Sequence, residues 1–132
     1  GKDGSEYKGG WQAGKKQGKG EYKYADGRNY DGYWKEGRYH GTGGLTQADG
    51  TRYWGQWQNG KRQGEGQLTW PNGARFTGIW QADTINGQGI FVLRTRSEIS
   101  GLWRGTPDNI SLYDAAGNPL RRGHFEGGLF LD

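Results

Sequence analysis

The chain has 132 residues, of which 28 are glycine and only 18 are Leu, Ile, Val or Phe, too few for an ordinary thick core. Aromatic residues nevertheless make up 14% and the net charge is +4, a balance that argues against disorder and for an ordered domain with a thin core. Cysteine is absent, which excludes disulfides and thiolate metal sites, and no apolar run approaches the roughly 18 residues of a membrane span.

Taken in chain order, residues 1–6 come first. Asp3-Gly4 lies 23 residues before Asp26-Gly27, so this segment reads as the closing turn of a preceding unit. With Gly1 in place of Met, it is consistent with a fragment or a trimmed start. A unit then begins at Tyr7 and recurs with a period of 23 residues. Its first position holds Tyr7, Tyr30, Tyr53, Phe76 and Ile99; two residues later stand Gly9, Gly32, Gly55, Gly78 and Gly101; two more bring Trp11, Trp34, Trp57, Trp80 and Trp103. Residues at i, i+2 and i+4 share one face of a strand. The glycine pairs Gly18/Gly20, Gly41/Gly43, Gly64/Gly66 and Gly87/Gly89 keep the same register. Each pair is followed by an alternating run through Tyr22, Leu45, Leu68 or Phe91. Asp26-Gly27, Asp49-Gly50 and Asn72-Gly73 then supply turns that need positive φ.

Each unit is therefore expected to be a β-hairpin, and successive hairpins to pair into one elongated, single-layer antiparallel sheet. A lone hairpin is marginal in water and must stack on its neighbours. Glycine, having no Cβ, gives the rings of one strand room over the backbone of the next. Burying a ring contributes roughly 2–3 kcal/mol, which offsets the roughly 1 kcal/mol that a glycine costs inside a strand.

These residues resemble MORN repeats (membrane occupation and recognition nexus). The first three units match at every signature glycine. The fourth departs at Asp83, where the turn glycine is due, and at Thr95-Arg96, where Asp-Gly is due. The fifth keeps only "ISGLWRG" before "TPDN" breaks the pattern, and a half unit with Arg121 in the tyrosine place would use Gly123, Phe125 and Gly128. The expected organisation is a MORN-repeat array over residues 1–98, with units 7–29, 30–52, 53–75 and 76–98. Residues 99–132 are then a degenerate repeat and C-terminal cap, with a hairpin turning at "DAAGNP". The resemblance implies a solenoid of hairpins that binds proteins or membranes. MORN repeats also accompany catalytic domains, such as a histone methyltransferase or lipid kinases, but no such domain fits here.

Catalysis finds no support in the residues. His40 falls at a hairpin tip and His124 in the cap, with no recurring nucleophile near either, and the carboxylates are scattered among turns. "GKGEYK" lacks the helix that a phosphate loop requires after its glycines. No His/Asp/Glu cluster has metal-ligand spacing, so neither metal nor cofactor is expected.

Binding is the better class, and two surfaces stand out. Lys15, Lys16, Arg38, Lys61 and Arg62 occupy hairpin tips that should recur about every 10 Å along one edge; such a row suits an anionic phospholipid surface. Tyr33, Tyr39, Trp54 and Trp70 are expected to form an exposed aromatic patch for a protein partner. The primary expectation is a non-catalytic protein-interaction scaffold, with an anionic membrane surface as the alternative. A carbohydrate module is a third reading, weakened because each repeated aromatic pair is split by a glycine. Nucleic acid is not expected, since Asp26, Asp31, Glu36 and Asp49 interrupt any basic track. The open sheet leaves free edges that can pair with a second copy.

Overall fold

The computed structural model describes residues 3–107, 109–126 and 129–131. Gly1, Asp108 and Gly128, which the sequence reading used, lie outside these, as do the side chains of Arg121, His124 and Phe125. The described chain contains no helix. Its strands are β1 (Glu6–Gln12), β2 (Lys15–Lys23), β3 (Asn29–Lys35), β4 (Arg38–Thr46), β5 (Arg52–Gln58), β6 (Lys61–Thr69), β7 (Arg75–Gln81), β8 (Thr84–Val92), β9 (Glu98–Thr106), β10 (Asn109–Tyr113), β11 (Pro119–Glu126) and β12 (Leu129–Leu131). Every strand pairs antiparallel with its sequence neighbours, in one sheet ordered β1 to β12. The stacked hairpins expected from the 23-residue period are what the chain forms.

The two edges of the sheet turn differently. Along one, two-residue loops carry Ala13-Gly14, Glu36-Gly37, Asn59-Gly60 and Ala82-Asp83, all at positive φ (48–83°), which matches the twist of the flanking strands. Asp83 takes the glycine place at φ 74°, a conformation aspartate tolerates better than most residues. Successive loops are tied together by the amides of Gly37, Gly60 and Asp83, which donate to the carbonyls of Lys16, Tyr39 and Arg62 at 2.9, 2.9 and 3.0 Å. Along the other edge lie longer turns closed by Asp-Gly or Asn-Gly, in which the side chains of Asp26, Asp49 and Asn72 accept from the amide two residues on.

Within each of the first four hairpins the second strand bulges. Between the pairs Gly32↔Gly43 and Trp34↔Tyr39, three residues of β4 oppose Tyr33 alone. The same shift falls at Gly10, Gln56 and Ile79. Tyr30 Oη donates to the Tyr33 carbonyl at 2.8 Å, and Tyr7 and Tyr53 do likewise to Gly10 and Gln56. The tyrosine at the head of a unit thus satisfies the carbonyl opposite the bulge.

The core is the inner face. Gly9, Gly20, Gly32, Gly43, Gly55, Gly66, Gly78, Gly89 and Gly101 pair across adjacent strands into one continuous stripe. Rings lie over it: a Cβ on Gly32 would sit 2.9 Å from Tyr30 Oη, and one on Gly78 would sit 2.7 Å from Phe76 Cζ. The rings alternate edge-on along the array, Trp34 against Tyr30 (4.9 Å), Tyr30 against Trp57 (5.8 Å), Trp57 against Tyr53 (4.9 Å) and Tyr53 against Trp80 (5.3 Å). Each such pair adds about 0.5–1.5 kcal/mol beyond its buried area. Trp34, Trp57, Trp80 and Trp103 donate their indole N–H to the carbonyls of Gly20, Gly43, Gly66 and Gly89, at 2.9–3.2 Å.

The fifth hairpin breaks the pattern. Its strands pair without a bulge from Leu102↔Tyr113 out to Thr106↔Asn109, so it extends beyond the other tips. Pro107, in its loop, lines the same cavity of about 370 Å³ as Arg62, Leu68 and Trp70 on the inner face. The hairpin after it turns at Asp114–Asn118 within "DAAGNP", with the geometry of the earlier Asp-Gly turns.

Candidate interaction surface

The tip dipeptides split between the two faces. Lys15, Arg38 and Lys61 are exposed, but Lys16 and Arg62 do not join them, which corrects the expected row of five cations. The Lys16 ammonium lies 5.0–5.6 Å from the ring centroids of Tyr7, Trp11, Tyr22 and Trp34. Arg62 Nε bonds Asp83 Oδ1 at 2.6 Å, and its guanidinium covers the Trp80 ring at 4.5 Å. Both residues pair with inward-facing positions of the adjoining strand, Lys16 with Trp11 and Arg62 with Trp57, so strand alternation turns them onto the aromatic core.

The aromatic patch is corrected in the same way. Tyr39 occupies the position of Lys16 one unit later. Its ring stacks on Tyr30 with centroids 3.8 Å apart, and its hydroxyl bonds that of Tyr24. Trp70 continues the inward series Gly66, Leu68 and is 7% exposed, packed on Phe91 at 5.4 Å. Burial raises the phenol pKa of Tyr30, Tyr39 and Tyr53 well above the ordinary value, keeping these groups protonated donors.

Tyr33 and Trp54 do face outward, 50% and 59% exposed. They lie on β3 and β5 with β4 between them. Gly41 lies beside Tyr33, and a Cβ on Gly44 would meet Trp54 Cε3 at 2.6 Å, so the Trp54 ring covers the space that a side chain at Gly44 would need. From Trp54 a row of uncharged cross-strand neighbours continues through Gln67, Thr77, Ile90 and Ser100. Ile90 is 42% exposed, and a shallow cavity of about 500 Å³ opens beside it, lined also by Glu65, Ile79 and Gln88. Sequence reasoning missed this extension. Its signal was Ile90, an apolar residue where the earlier units have Glu21, Gly44 and Gln67.

Hydrogen bonds from neighbouring amides and side chains hold the turn carboxyls of Asp3, Asp26, Asp49 and Asp114 below their ordinary pKa of 3.8. A depressed carboxyl contributes stability above its unfolded pKa and loses it as pH falls through the folded value. Stability is therefore expected to fall below pH 3.8 as these turns protonate. In a urea titration between pH 5 and 2, Asp26→Asn with Asp49→Asn should flatten that fall, since asparagine keeps the acceptor oxygen without titrating; an unchanged slope would place the acid sensitivity elsewhere. Among the described residues, no group of three or more His, Asp or Glu is placed to hold a metal ion.

The fold defines a class: an array of antiparallel hairpins welded by a Tyr/Trp ladder over a glycine stripe. The family model described as "MORN repeat" matches residues 7–27, 30–52, 53–75 and 76–97, more than half of the chain, and the chain belongs to that family. Repeats of this family are generally non-catalytic modules that take part in protein or membrane interactions. No curated protein matches the chain.

Proposed function

We propose that this MORN-repeat sheet is a non-catalytic scaffold that takes a protein partner on its outer face, centred on Tyr33 and Trp54. The observation that supports the reading is the exposure of two large rings on the outer face, one of which, Trp54, begins an uncharged row across five strands. Exposed tryptophan and tyrosine are typical anchors at interfaces. A sugar would have to use Trp11 and Trp54, because Trp34, Trp57, Trp80 and Trp103 are buried in the ladder.

The test is a photoreactive phenylalanine analogue placed at position 54, and separately at Gln81 on the loop edge, in cells that make the protein. A discrete adduct at 54 that is absent at 81 and lost with Tyr33→Ala is the expected result. Once the partner is isolated, Trp54→Ala should weaken its binding by about 2 kcal/mol, roughly thirtyfold. Equal adducts at both positions would sink the outer-face assignment. If no adduct forms and anionic vesicles float the protein until Lys15, Arg38 and Lys61 are changed to Glu, the membrane alternative replaces it.

A further inference from the structure

The repeat-closing turns share one geometry and differ sharply in charge. In each, the first residue's amide donates to the carbonyl four residues on, and the fourth residue's amide donates back to the first carbonyl. Tyr24–Arg28, Gln47–Thr51, Trp70–Ala74, Leu93–Ser97 and Asp114–Asn118 all follow it. Gly27, Gly50, Gly73 and Gly117 fill the fourth place at φ 89–100°, whereas Arg96 fills it at 73°. A long side chain is disfavoured in that left-handed region, so the exchange weakens the turn. Arg94 stands where Ala25, Ala48 and Pro71 stand in earlier turns, and Thr95 replaces Asp26, Asp49 or Asn72. The fourth turn thus gains two arginines and loses its acidic or amide acceptor.

A third arginine joins them. Arg75, opposite Val92 on β8, lines with Arg94 and Arg96 a cavity of about 490 Å³, together with Asn72 and Glu98. All three arginines are exposed. None makes an ion pair with a described carboxylate, not even Glu98, whereas Arg28 and Arg62 are paired to Asp26 and Asp83. Three guanidinium groups against the one carboxylate of Glu98 leave an excess of positive charge around one concavity and focus a positive potential there. Planar guanidinium forks match phosphoryl oxygens in geometry as well as charge.

We infer that Arg75, Arg94 and Arg96 form a binding site for a phosphoryl group carried by a small molecule or a lipid head. It lies at the turn edge, across the sheet from the exposed tip cations. Anion binding offsets both the excess positive charge and the weakened turn, so a ligand should stabilise the folded chain by mass action.

The test titrates the whole protein with sodium pyrophosphate, against sodium chloride at matched ionic strength, by thermal unfolding and calorimetry. Pyrophosphate should raise the melting temperature where chloride does not, and Arg94→Ala should weaken its binding about tenfold. Arg96→Gly is the decisive variant, because glycine fills that place in the other turns. It should raise the melting temperature without ligand and still lose most of the pyrophosphate response. Vesicles containing phosphatidic acid distinguish the source. Binding of pyrophosphate without flotation assigns a soluble phosphoester, and flotation lost in Arg96→Gly assigns a lipid head. No response to either probe, or equal responses in the wild type and Arg96→Gly, would overturn the site.

Discussion

Replacing Trp80 by alanine is expected to lower stability by about 3–5 kcal/mol, the range for emptying a buried indole site. Trp80 is 1% exposed. Its ring meets Tyr53 edge-on at 5.3 Å and Phe76 at 6.1 Å. Truncation also takes the indole donor from the Gly66 carbonyl, 3.2 Å away, and the ring from beneath the Arg62 guanidinium. A buried acceptor left without its donor adds its own penalty. Strand contacts run between sequence neighbours, so the loss should uncouple β5–β6 from β7–β8 locally. Guanidinium unfolding followed by tryptophan fluorescence should then show an earlier and broader transition. Trp54→Ala, on the outer face, should shift stability by no more than about 0.5 kcal/mol. Equal losses from the two truncations would mean that the assignment of inner and outer faces is wrong.

That assignment was legible in the sequence further than it was read. Residues at i, i+2 and i+4 from each repeat glycine share a face, and counting back from Gly20 or Gly66 puts Lys16 and Arg62 on the ring side. Counting forward from Gly66 through Leu68 puts Trp70 there too. The expected row of five cations counts Lys15-Lys16 and Lys61-Arg62 as loop tips, whereas strand alternation already holds there. It continues to the last residue pair of each hairpin, Gln12↔Lys15 in the first and Gln58↔Lys61 in the third.

Other features depend on register, which no single strand reveals. Trp54, Gln67, Thr77, Ile90 and Ser100 lie far apart along the chain and become a row only when five strands are aligned. Arg75 and Arg96 come to line one cavity for the same reason, each ordinary by itself. The departure at Thr95-Arg96 was visible as a broken signature. The site inferred there rests on the shared cavity and on the lack of a carboxylate partner among the described residues.

The glycine pair in each second strand looked uniform in sequence and is divided in function, and alanine at Gly43 and at Gly41 should separate the two roles. Gly41 is at φ 73° in the bulge, where any side chain strains the backbone. Gly43 needs no special φ; a Cβ there would lie 2.9 Å from Tyr30 Cε2 and closer still to the phenol oxygen. Tyr30 is fully buried and stacked on Tyr39, and its hydroxyl is committed to the Tyr33 carbonyl, so it has no room to yield. Gly43→Ala should therefore cost about 1–3 kcal/mol through overpacking, and Gly41→Ala about 1 kcal/mol through backbone strain. A double-mutant cycle with Tyr30→Ala distinguishes the causes. Removing the ring should relieve most of the Gly43→Ala penalty, a coupling of about 1 kcal/mol or more, and leave the Gly41→Ala penalty unchanged. If both glycine variants simply add to Tyr30→Ala, the stripe is not there to seat the rings. Its glycines would then be set by backbone conformation, as those of the turns are.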